Sequence, residues 1–351
     1  MASDRHAPSD PPRFVSALEV ARHAGVSRSA VSRAFTPGAS IARETRDKVM
    51  RAAEELGYHV NDLARGLIAR RSRLVGLVVT RPELGFRSHL VASLTRALIR
   101  RGSVPTVINT GRTEAELLAA QKTLIGYRSE ATIVLSGSPP ASFVALARRT
   151  GQPVVVIGRS EPGLDHVHID NAAAAAEAAA LFAARGMTRV GLASSGSGTP
   201  IVHEREEAFI AAAGRLGLRV ATARGADSDY AGGGEAAAGL LGAVDRPQGI
   251  FCVNDLVAFG VLDAARHGFG LAVPADLSVI GFDDLPEAAW QAYRLTTFRQ
   301  DPEEMAAAAI ALLDAREADP GRPPARTVVA APTVLRETLT AAPDAAGLPP
   351  R

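Results

Sequence analysis

Hydrophobic positions are spaced differently in the first 60 residues and in the rest of the chain. From Leu74 onward, short apolar runs alternate with longer stretches of helical spacing. The short runs predict buried strands, and their alternation with helices predicts parallel sheets covered on both faces. The predicted strands are Leu74–Thr80, Val104–Asn109, Thr132–Leu135, Pro153–Ile157, Arg189–Ala193, Gly249–Val253 and Val279–Phe282, and the helices include His89–Arg101 and Ala172–Arg185.

Two short helices joined by a glycine turn are predicted upstream of these strands. Ser16 and Glu19 have the spacing of a capping box, and Gly25 suits the left-handed turn that ends a helix. Ser27 can cap a second helix, whose inner face is formed by Ala30, Val31 and Ala34. This order of elements is typical of a helix-turn-helix. A third helix is predicted from about Ala42 to Leu56, ending at Gly57.

The second of these helices carries candidate DNA contacts. In a helix-turn-helix this helix lies in the major groove, where an arginine fork can bind guanine. We expect Arg28, Ser29 and Arg33 to face the bases, and the hydroxyls of Ser16, Ser27 and Ser32 to reach phosphates. The alternative is an ordinary helical hairpin whose arginines are solvated.

Charge and composition agree with a nucleic-acid partner for the front of the chain. Residues 1–73 hold 13 basic and 8 acidic side chains, whereas the remainder holds 26 and 29. Cys252 is the single cysteine, so an intramolecular disulfide is impossible. We expect residues 1–13 to be a disordered leader without a secretory signal, and the protein to be cytoplasmic, associated with the nucleoid and not with a membrane.

The segment from Val15 to Ser72 resembles the headpiece of the lac repressor (LacI/GalR) family. The resemblance rests on Val20–Ser27, Ala30–Arg33, Thr45–Val49, Ala53–Tyr58 and Asn61–Leu67. It implies a hinge helix near Asn61–Ala69 that enters the minor groove, where Leu67 would wedge open a base step. The alternative for Leu67 is a core contact. Val60, Asp62 and Gly66 depart from the family pattern, so we expect the free hinge to be disordered.

The same family resemblance extends, more weakly, to about Thr340. It implies a periplasmic-binding-protein-like core of two Rossmann-like subdomains, with an effector in the cleft between them. The expected organisation is a helix-turn-helix domain at 14–60, a hinge and linker at 61–73, a core at 74–340 and a tail at 341–351. Within the core, one subdomain would comprise about 74–170 and 300–327, and the other about 171–299 and 328–340.

The resemblance also implies which residues contact the effector. Arg205 matches a ligand-binding arginine and Asp283 a hydroxyl-accepting aspartate. Asn254 and Ser136 match polar cleft residues, and Phe86 could supply a stacking surface, as could Trp290. Such groups suit a polyhydroxylated ligand, so a sugar is the leading effector class. The alternatives are a turn residue for Asp283, a surface ion pair for Arg205, and core or interface positions for Phe86 and Trp290. Gly158 and Ser228 stand where many members have an aspartate and an aromatic residue.

Other motifs do not indicate chemistry. Gly196–Gly198 and Gly232–Gly234 are interpreted as loop glycines and lack the lysine of a phosphate loop. His166 and His168 are interpreted as strand residues, because they have no partners at metal-ligand spacing.

We therefore expect no catalytic activity, cofactor or metal. Some members of the resembled family form tetramers through a C-terminal coiled coil, which residues 341–351 cannot form, so the resemblance implies a homodimer. The expected function is an effector-controlled, sequence-specific DNA-binding transcription regulator, a repressor. The alternatives are a solute-binding protein of a transport system, which would need export, and a sugar-modifying enzyme, which would need a catalytic motif.

Overall fold

The computed structural model describes residues 14–36, 38–60, 72–111, 113–127, 129–135, 145, 152–158 and 162–341. The chain forms two compact units, Met1–Ser72 and Arg73–Arg351. No helix among the described residues is both long enough and apolar enough to cross a membrane.

The first unit is a small three-helix domain, consisting of α1 (Ala17–His23), α2 (Arg28–Ala34) and α3 (Arg43–Leu56). Gly25, with φ +64°, makes the turn between α1 and α2, and Gly57, with φ +65°, ends α3. Seven buried side chains form the core that orients the three helices, namely Val20, Ala21, Val31, Ala34, Val49, Ala52 and Ala53. The predicted helix-turn-helix and third helix are confirmed.

The second unit contains two lobes, and the first is built on a six-stranded parallel sheet of order β11-β5-β4-β3-β1-β2. Its strands are β1 (Leu74–Val79), β2 (Val104–Asn109), β3 (Ala131–Leu135), β4 (Val154–Ile157), β5 (Asp165–Ile169) and β11 (Arg326–Val329). Its helices are α4 (Phe86–Arg101), α5 (Glu114–Gly126) and α10 (Pro302–Ala318). Successive side chains of a strand point to opposite faces of the sheet, so the lobe has a hydrophobic core on each face. On β3, Ile133 and Leu135 pack in the larger core and Val134 packs in the smaller one.

The second lobe has a four-stranded parallel sheet of order β7-β6-β8-β9. Its strands are β6 (Arg189–Ser195), β7 (Arg219–Gly225), β8 (Gly249–Cys252) and β9 (Ser278–Ile280), and its helices are α6 (Asn171–Ala183), α7 (Pro200–Arg215), α8 (Tyr230–Leu241) and α9 (Asp255–Asp263). A short π-helix, Ala264–Gly268, and a 3-10 helix, Pro286–Ala289, follow. The antiparallel strands β10 (Thr297–Phe298) and β12 (Thr333–Val334) lie where the chain passes between the lobes.

The prediction that Gly232–Gly234 lies in a loop is wrong, because these glycines are inside α8. A Cβ on Gly233 would come within 2.2 Å of the carbonyl oxygen of Val257, and one on Gly260 within 2.1 Å of that of Tyr230. The glycines therefore let α8 and α9 approach until their backbones touch. Of the seven predicted strands, Val104–Asn109 is confirmed with the predicted ends and the other six with shifted ends. The interpretation of His166 and His168 as strand residues is also confirmed, since both lie in β5, whereas β7, β10, β11 and β12 were not predicted as strands.

Candidate functional sites

Helix α2 presents polar side chains on its outer face. Ala30 and Val31 are buried against the other two helices, which leaves Arg28, Ser29 and Arg33 exposed. Arg28 has no hydrogen bond or ion pair within the described residues, and Nε of Arg33 donates only a long 3.4 Å bond to the carbonyl oxygen of Ser29. Ser32 is exposed on the same helix. The two guanidinium groups are thus available to an external partner.

Two of the predicted phosphate contacts are used as helix caps. Ser16 Oγ accepts from the backbone N–H of Glu19, whose carboxylate accepts from Ser16 in return. Ser27 Oγ accepts from the N–H of Ala30 at 3.2 Å. A phosphate contact by either hydroxyl would have to be made in addition to the cap. The predicted sites Asn61, Leu67 and Ser136 lie outside the described residues.

A cleft lies between the two lobes of the core, at the carboxyl ends of their strands. Its wall includes Leu135 and Ile157 at the ends of β3 and β4, and Val253 and Asn254 directly after β8. The enclosed volume is about 90 Å³. Ligand pockets typically have roughly 300–1,000 Å³, so the two lobes stand close together across this cleft.

Arg205 is a buried cation in the cleft wall, with 3% of its surface exposed. Nε donates to Oδ1 of Asn171 at 2.8 Å, and Nη1 donates to the carbonyl oxygen of Val253 at 2.5 Å. Cζ lies 3.5 Å from the centroid of the Phe282 ring. Burial lowers the pKa of Arg205 to about 10, with nearby carboxylates, Asp283 foremost, opposing the shift. The side chain therefore stays charged at neutral pH and is held rigidly.

Asp283 faces the cleft from an unusual backbone conformation, with φ +139°. Its neighbour Asp284, with φ +58°, points away from the cleft and binds Nε of Arg299 at 2.7 Å and Nη2 of Arg336 at 2.6 Å. These ion pairs hold the strained turn, which directs the Asp283 carboxylate inward. Oδ1 of Asp283 accepts a hydrogen bond from Nε2 of Gln300.

A second carboxyl group, Asp255, is completely buried near Asp283. Its two oxygens accept from the Thr297 hydroxyl at 2.6 Å and from the backbone N–H of Leu285 at 2.8 Å. Burial raises the pKa of Asp255 to about 8, with the charge of Asp283 adding to the shift. Burial also raises the pKa of Asp283 to about 6, although Arg205, Gln300 and Arg87 oppose it. Both carboxyl groups are therefore harder to ionise than an exposed aspartate, because burial disfavours their charged forms.

The remaining predicted cleft residues differ in how they are used. Phe86 lies in the cleft wall at the first turn of α4. Asn254 also lines the cleft, but its side chain caps α9 through Val257 N–H and donates to the carbonyl oxygen of Ser228 at 2.9 Å. Trp290 is 55% exposed and is not among the residues that line the cleft. A stacking contact is thus available from Phe86 and not from Trp290.

Three side chains important to the cleft were missed by the sequence analysis. Arg87 and Gln300 line the cleft. Arg81 joins the lobes, because Nη1 lies 2.6 Å from Oδ2 of Asp227 and Nη2 lies 3.5 Å from Oδ2 of Asp229. The available signal was position, since the two arginines follow β1, at the end of a parallel strand where ligands bind.

Comparison with known proteins relates both units to bacterial regulators. A family model described as "Bacterial regulatory proteins, lacI family" matches residues 18–61, and one described as "Periplasmic binding protein-like domain" matches residues 179–339. The HTH-type transcriptional regulator GalS of Salmonella typhimurium is 31% identical over 297 residues, covering 84% of this chain and 87% of GalS.

The HTH-type transcriptional repressor CytR of Escherichia coli K12 is 28% identical over 302 residues, again covering 84% of this chain and 87% of CytR. A solved structure described as "transcriptional regulator CelR-cellobiose complex" is 26% identical, with a TM-score of 0.70, and the match covers 92% of this chain and 99% of that one. The fold predicted from the sequence, a helical headpiece followed by a periplasmic-binding-protein-like core, is confirmed.

Proposed function

The chain belongs to the lacI family of bacterial regulatory proteins, and on this premise we propose that it is a homodimeric repressor that a sugar controls through the cleft of its core. It is a DNA-binding transcriptional regulator. In this proposal residues 14–60 bind operator DNA, residues 61–73 form the hinge and linker, and residues 74–340 bind the effector and form the dimer. CytR, which is similar over most of this chain, is named as a repressor.

The convergence of Arg205 and Asp283 in one cleft is the observation that carries the sugar assignment. A sugar hydroxyl both donates and accepts, so it can accept from the guanidinium and donate to the carboxylate. Nη2 of Arg205 has no hydrogen-bond partner within the described residues, and neither has Oδ2 of Asp283. The likeness to a regulator solved with cellobiose supports the same class of ligand.

DNA readout is assigned to the exposed face of α2. Arg28 and Arg33 lie on one helix of a fixed three-helix core, which is the way a helix-turn-helix presents side chains to the major groove. Ser29 and Ser32 are exposed beside them. We assign Arg28, Ser29 and Arg33 to the bases and Ser32 to a phosphate.

A homodimer fits both the DNA and the surface of the core. Two copies of α2 related by a two-fold axis would read a near-palindromic operator. Val104 and Val107 on β2, the edge strand of the first lobe, are 46% and 43% exposed, and Ile99 on the adjacent α4 is 63% exposed. Apolar side chains on a sheet edge favour burial against a second copy.

Control by the ligand follows from linkage. A ligand that touches both lobes favours the arrangement of lobes that binds it better, and it changes DNA affinity only by that difference in affinity.

We assign the cleft to binding and not to catalysis, because neither hydroxyl in its described wall, Thr199 or Ser228, hydrogen-bonds to a basic group. The proposal places the protein on the nucleoid in the cytoplasm. A transport protein would leave the arginines of α2 without a role.

Selection of genomic fragments by the full-length protein tests this function. The wild-type protein should enrich one near-palindromic sequence, and a stabilising sugar should change the amount retained. The Arg33→Ala variant serves as the internal comparison, because it keeps the fold and should enrich the sequence less strongly. Enrichment of no sequence would refute DNA-dependent regulation. Retention that responds to a purine or an amino acid, and to no sugar, would refute the sugar assignment.

A further inference from the structure

The cleft contains more positive than negative charge. Its described wall includes three ionisable side chains, Arg87, Arg205 and Asp283. The two guanidinium groups are positive, and the single carboxylate is flanked by both of them. Gly158 also lines the cleft and adds no charge. A neutral sugar would leave this excess of positive charge in the described wall unmatched.

Arg87 forms no ion pair within the described residues. Nη1 donates to the carbonyl oxygen of Thr80 at 3.0 Å, and no carboxylate lies within 4.0 Å of its guanidinium among the described residues. Burial lowers its pKa, with the charge of Arg81 adding to the shift and Asp227, Asp283 and Glu83 opposing it. The neighbouring Arg81 differs, because Asp227 and Asp229 bind it.

The backbone at Arg87 also favours a negatively charged ligand. Arg87 is the second residue of α4, whose N-cap, Gly85, has no side chain to accept from the first turn, and this turn contains no acidic residue. The cleft is lined here by Leu84, Gly85, Phe86 and Arg87. The backbone N–H groups of Phe86 and Arg87 have no hydrogen-bond partner within the described residues, and the positive end of the dipole of this 16-residue helix lies at the cleft wall.

We propose that the effector is an acidic sugar, either a sugar acid or a sugar phosphate, whose anionic group is bound by Arg87 and the first turn of α4. Its hydroxyl groups reach Asp283 and the free Nη2 of Arg205. This inference rests on the proposed function, because it narrows the class of sugar that the cleft recognises. It assigns Arg87 as the residue that distinguishes acidic sugars from neutral ones.

Matched sets of ligands test the assignment by isothermal titration calorimetry on the full-length protein. Glucose, gluconate and glucose 6-phosphate form one set, and ribose, ribonate and ribose 5-phosphate form the other. In at least one set an acidic member should bind about tenfold or more tightly than its neutral counterpart, as expected for a hydrogen bond to a charged group. The carboxylate and phosphate members distinguish the two sources of the anion.

Variants of Arg87 show whether this residue causes the preference. Arg87→Gln should reduce the preference for the acidic member to about twofold or less, while Arg87→Lys should keep part of it. Arg100→Gln, an exposed position on the same helix, is the matched control and should behave like wild type. Thermal melting without ligand checks that each variant is folded.

The outcomes separate this inference from the proposed function. Tighter binding of a neutral sugar than of both its acidic counterparts overturns the inference and leaves the proposed function standing. An acidic preference that survives Arg87→Gln overturns the role of Arg87. Binding of a purine or an amino acid, with no binding of any sugar, overturns both.

Discussion

Arginine is used in opposite environments by the headpiece and by the core. Arg28 and Arg33 on α2 are exposed to solvent, whereas Arg205 in the cleft is 3% exposed. An exposed guanidinium keeps its water until a partner displaces it, so its contact adds little free energy by itself. A buried guanidinium has already lost its water during folding, so each hydrogen bond to a ligand contributes more.

The difference indicates how each region achieves specificity. The headpiece fixes only the backbone of α2 and leaves the side chains to be ordered by DNA. The core fixes the side chain itself, since Arg205 is held by Asn171, by the carbonyl oxygen of Val253 and by the Phe282 ring. Loss of one arginine should therefore weaken recognition in both regions, with the greater loss in the cleft.

The largest effect is expected for Arg205→Met. The variant keeps an apolar stem over Phe282 but removes hydrogen bonds from a charged donor, each contributing about 1.5–3 kcal/mol. Calorimetry should show a loss of affinity of about 100-fold for whichever sugar stabilises the wild-type protein, with operator binding retained. Arg215→Met, an exposed position on the same helix, is the control. Unchanged sugar binding by Arg205→Met would contradict the conclusion that a buried arginine of the core contributes more to recognition than an exposed arginine of the headpiece.

A smaller effect is expected for Arg33→Ala in the headpiece. A bidentate contact to one base contributes about 1–3 kcal/mol of discrimination, so the variant should lose roughly tenfold in preference for the selected operator. Fluorescence anisotropy against the operator and a scrambled duplex measures this ratio. The control is Arg51→Ala, an exposed position on α3, which should change both affinities equally. An unchanged ratio for Arg33→Ala would remove this residue from base readout.

Buried charge also makes the stability of the core depend on pH. The pKa of Asp255 is raised to about 8 and that of Asp283 to about 6, both above the unfolded value of about 3.9. The folded state therefore binds more protons than the unfolded state, so stability is fully present below about pH 4 and is lost as pH rises through 6 and 8.

Thermal melting of Asp255→Asn between pH 5 and pH 9 measures this dependence. Asparagine can accept from Leu285 N–H and donate to the Thr297 hydroxyl, so the melting temperature should fall less steeply with pH than that of wild type. Each kcal/mol corresponds to roughly 2–4 °C in a domain of this size. Asp245→Asn, at an exposed site, is the control. Equal slopes for Asp255→Asn and wild type would show that Asp255 titrates normally.

The smallest effect is expected at the ion pairs of Arg81 across the cleft. The exposure of this arginine lies between that of the arginines on α2 and that of Arg205. Its side chain is 23% exposed, and those of Asp227 and Asp229 are 22% and 27% exposed. Solvent screening limits such a pair to about 1 kcal/mol. Arg81→Gln should therefore lower sugar affinity about two- to fivefold. Arg294→Gln, which breaks an ion pair with Glu337, is the control. A loss as large as that of Arg205→Met would mean that the cleft depends on Arg81 for more than closure.

The sequence by itself determined the headpiece and most of the strands. Caps such as Ser16 with Glu19, the turn at Gly25 and short apolar runs act between neighbours in the chain, so they can be seen without a structure. The edge strand β7, Arg219–Gly225, was missed because most of its side chains are at least partly exposed. Edge strands lack the continuous apolar run of a strand buried on both faces.

Tertiary structure alone decided the details of the cleft. Arg205 meets Asn171 and Val253, and Asp283 meets Gln300, from segments far apart in sequence. The close contact of Gly233 with the backbone of α9 likewise joins segments that are distant in sequence. Local signals cannot report these contacts, because burial and proximity arise only when distant segments pack. The residue types were known from the sequence, but the lack of an ion pair at Arg87 within the described residues was evident only from the structure around it.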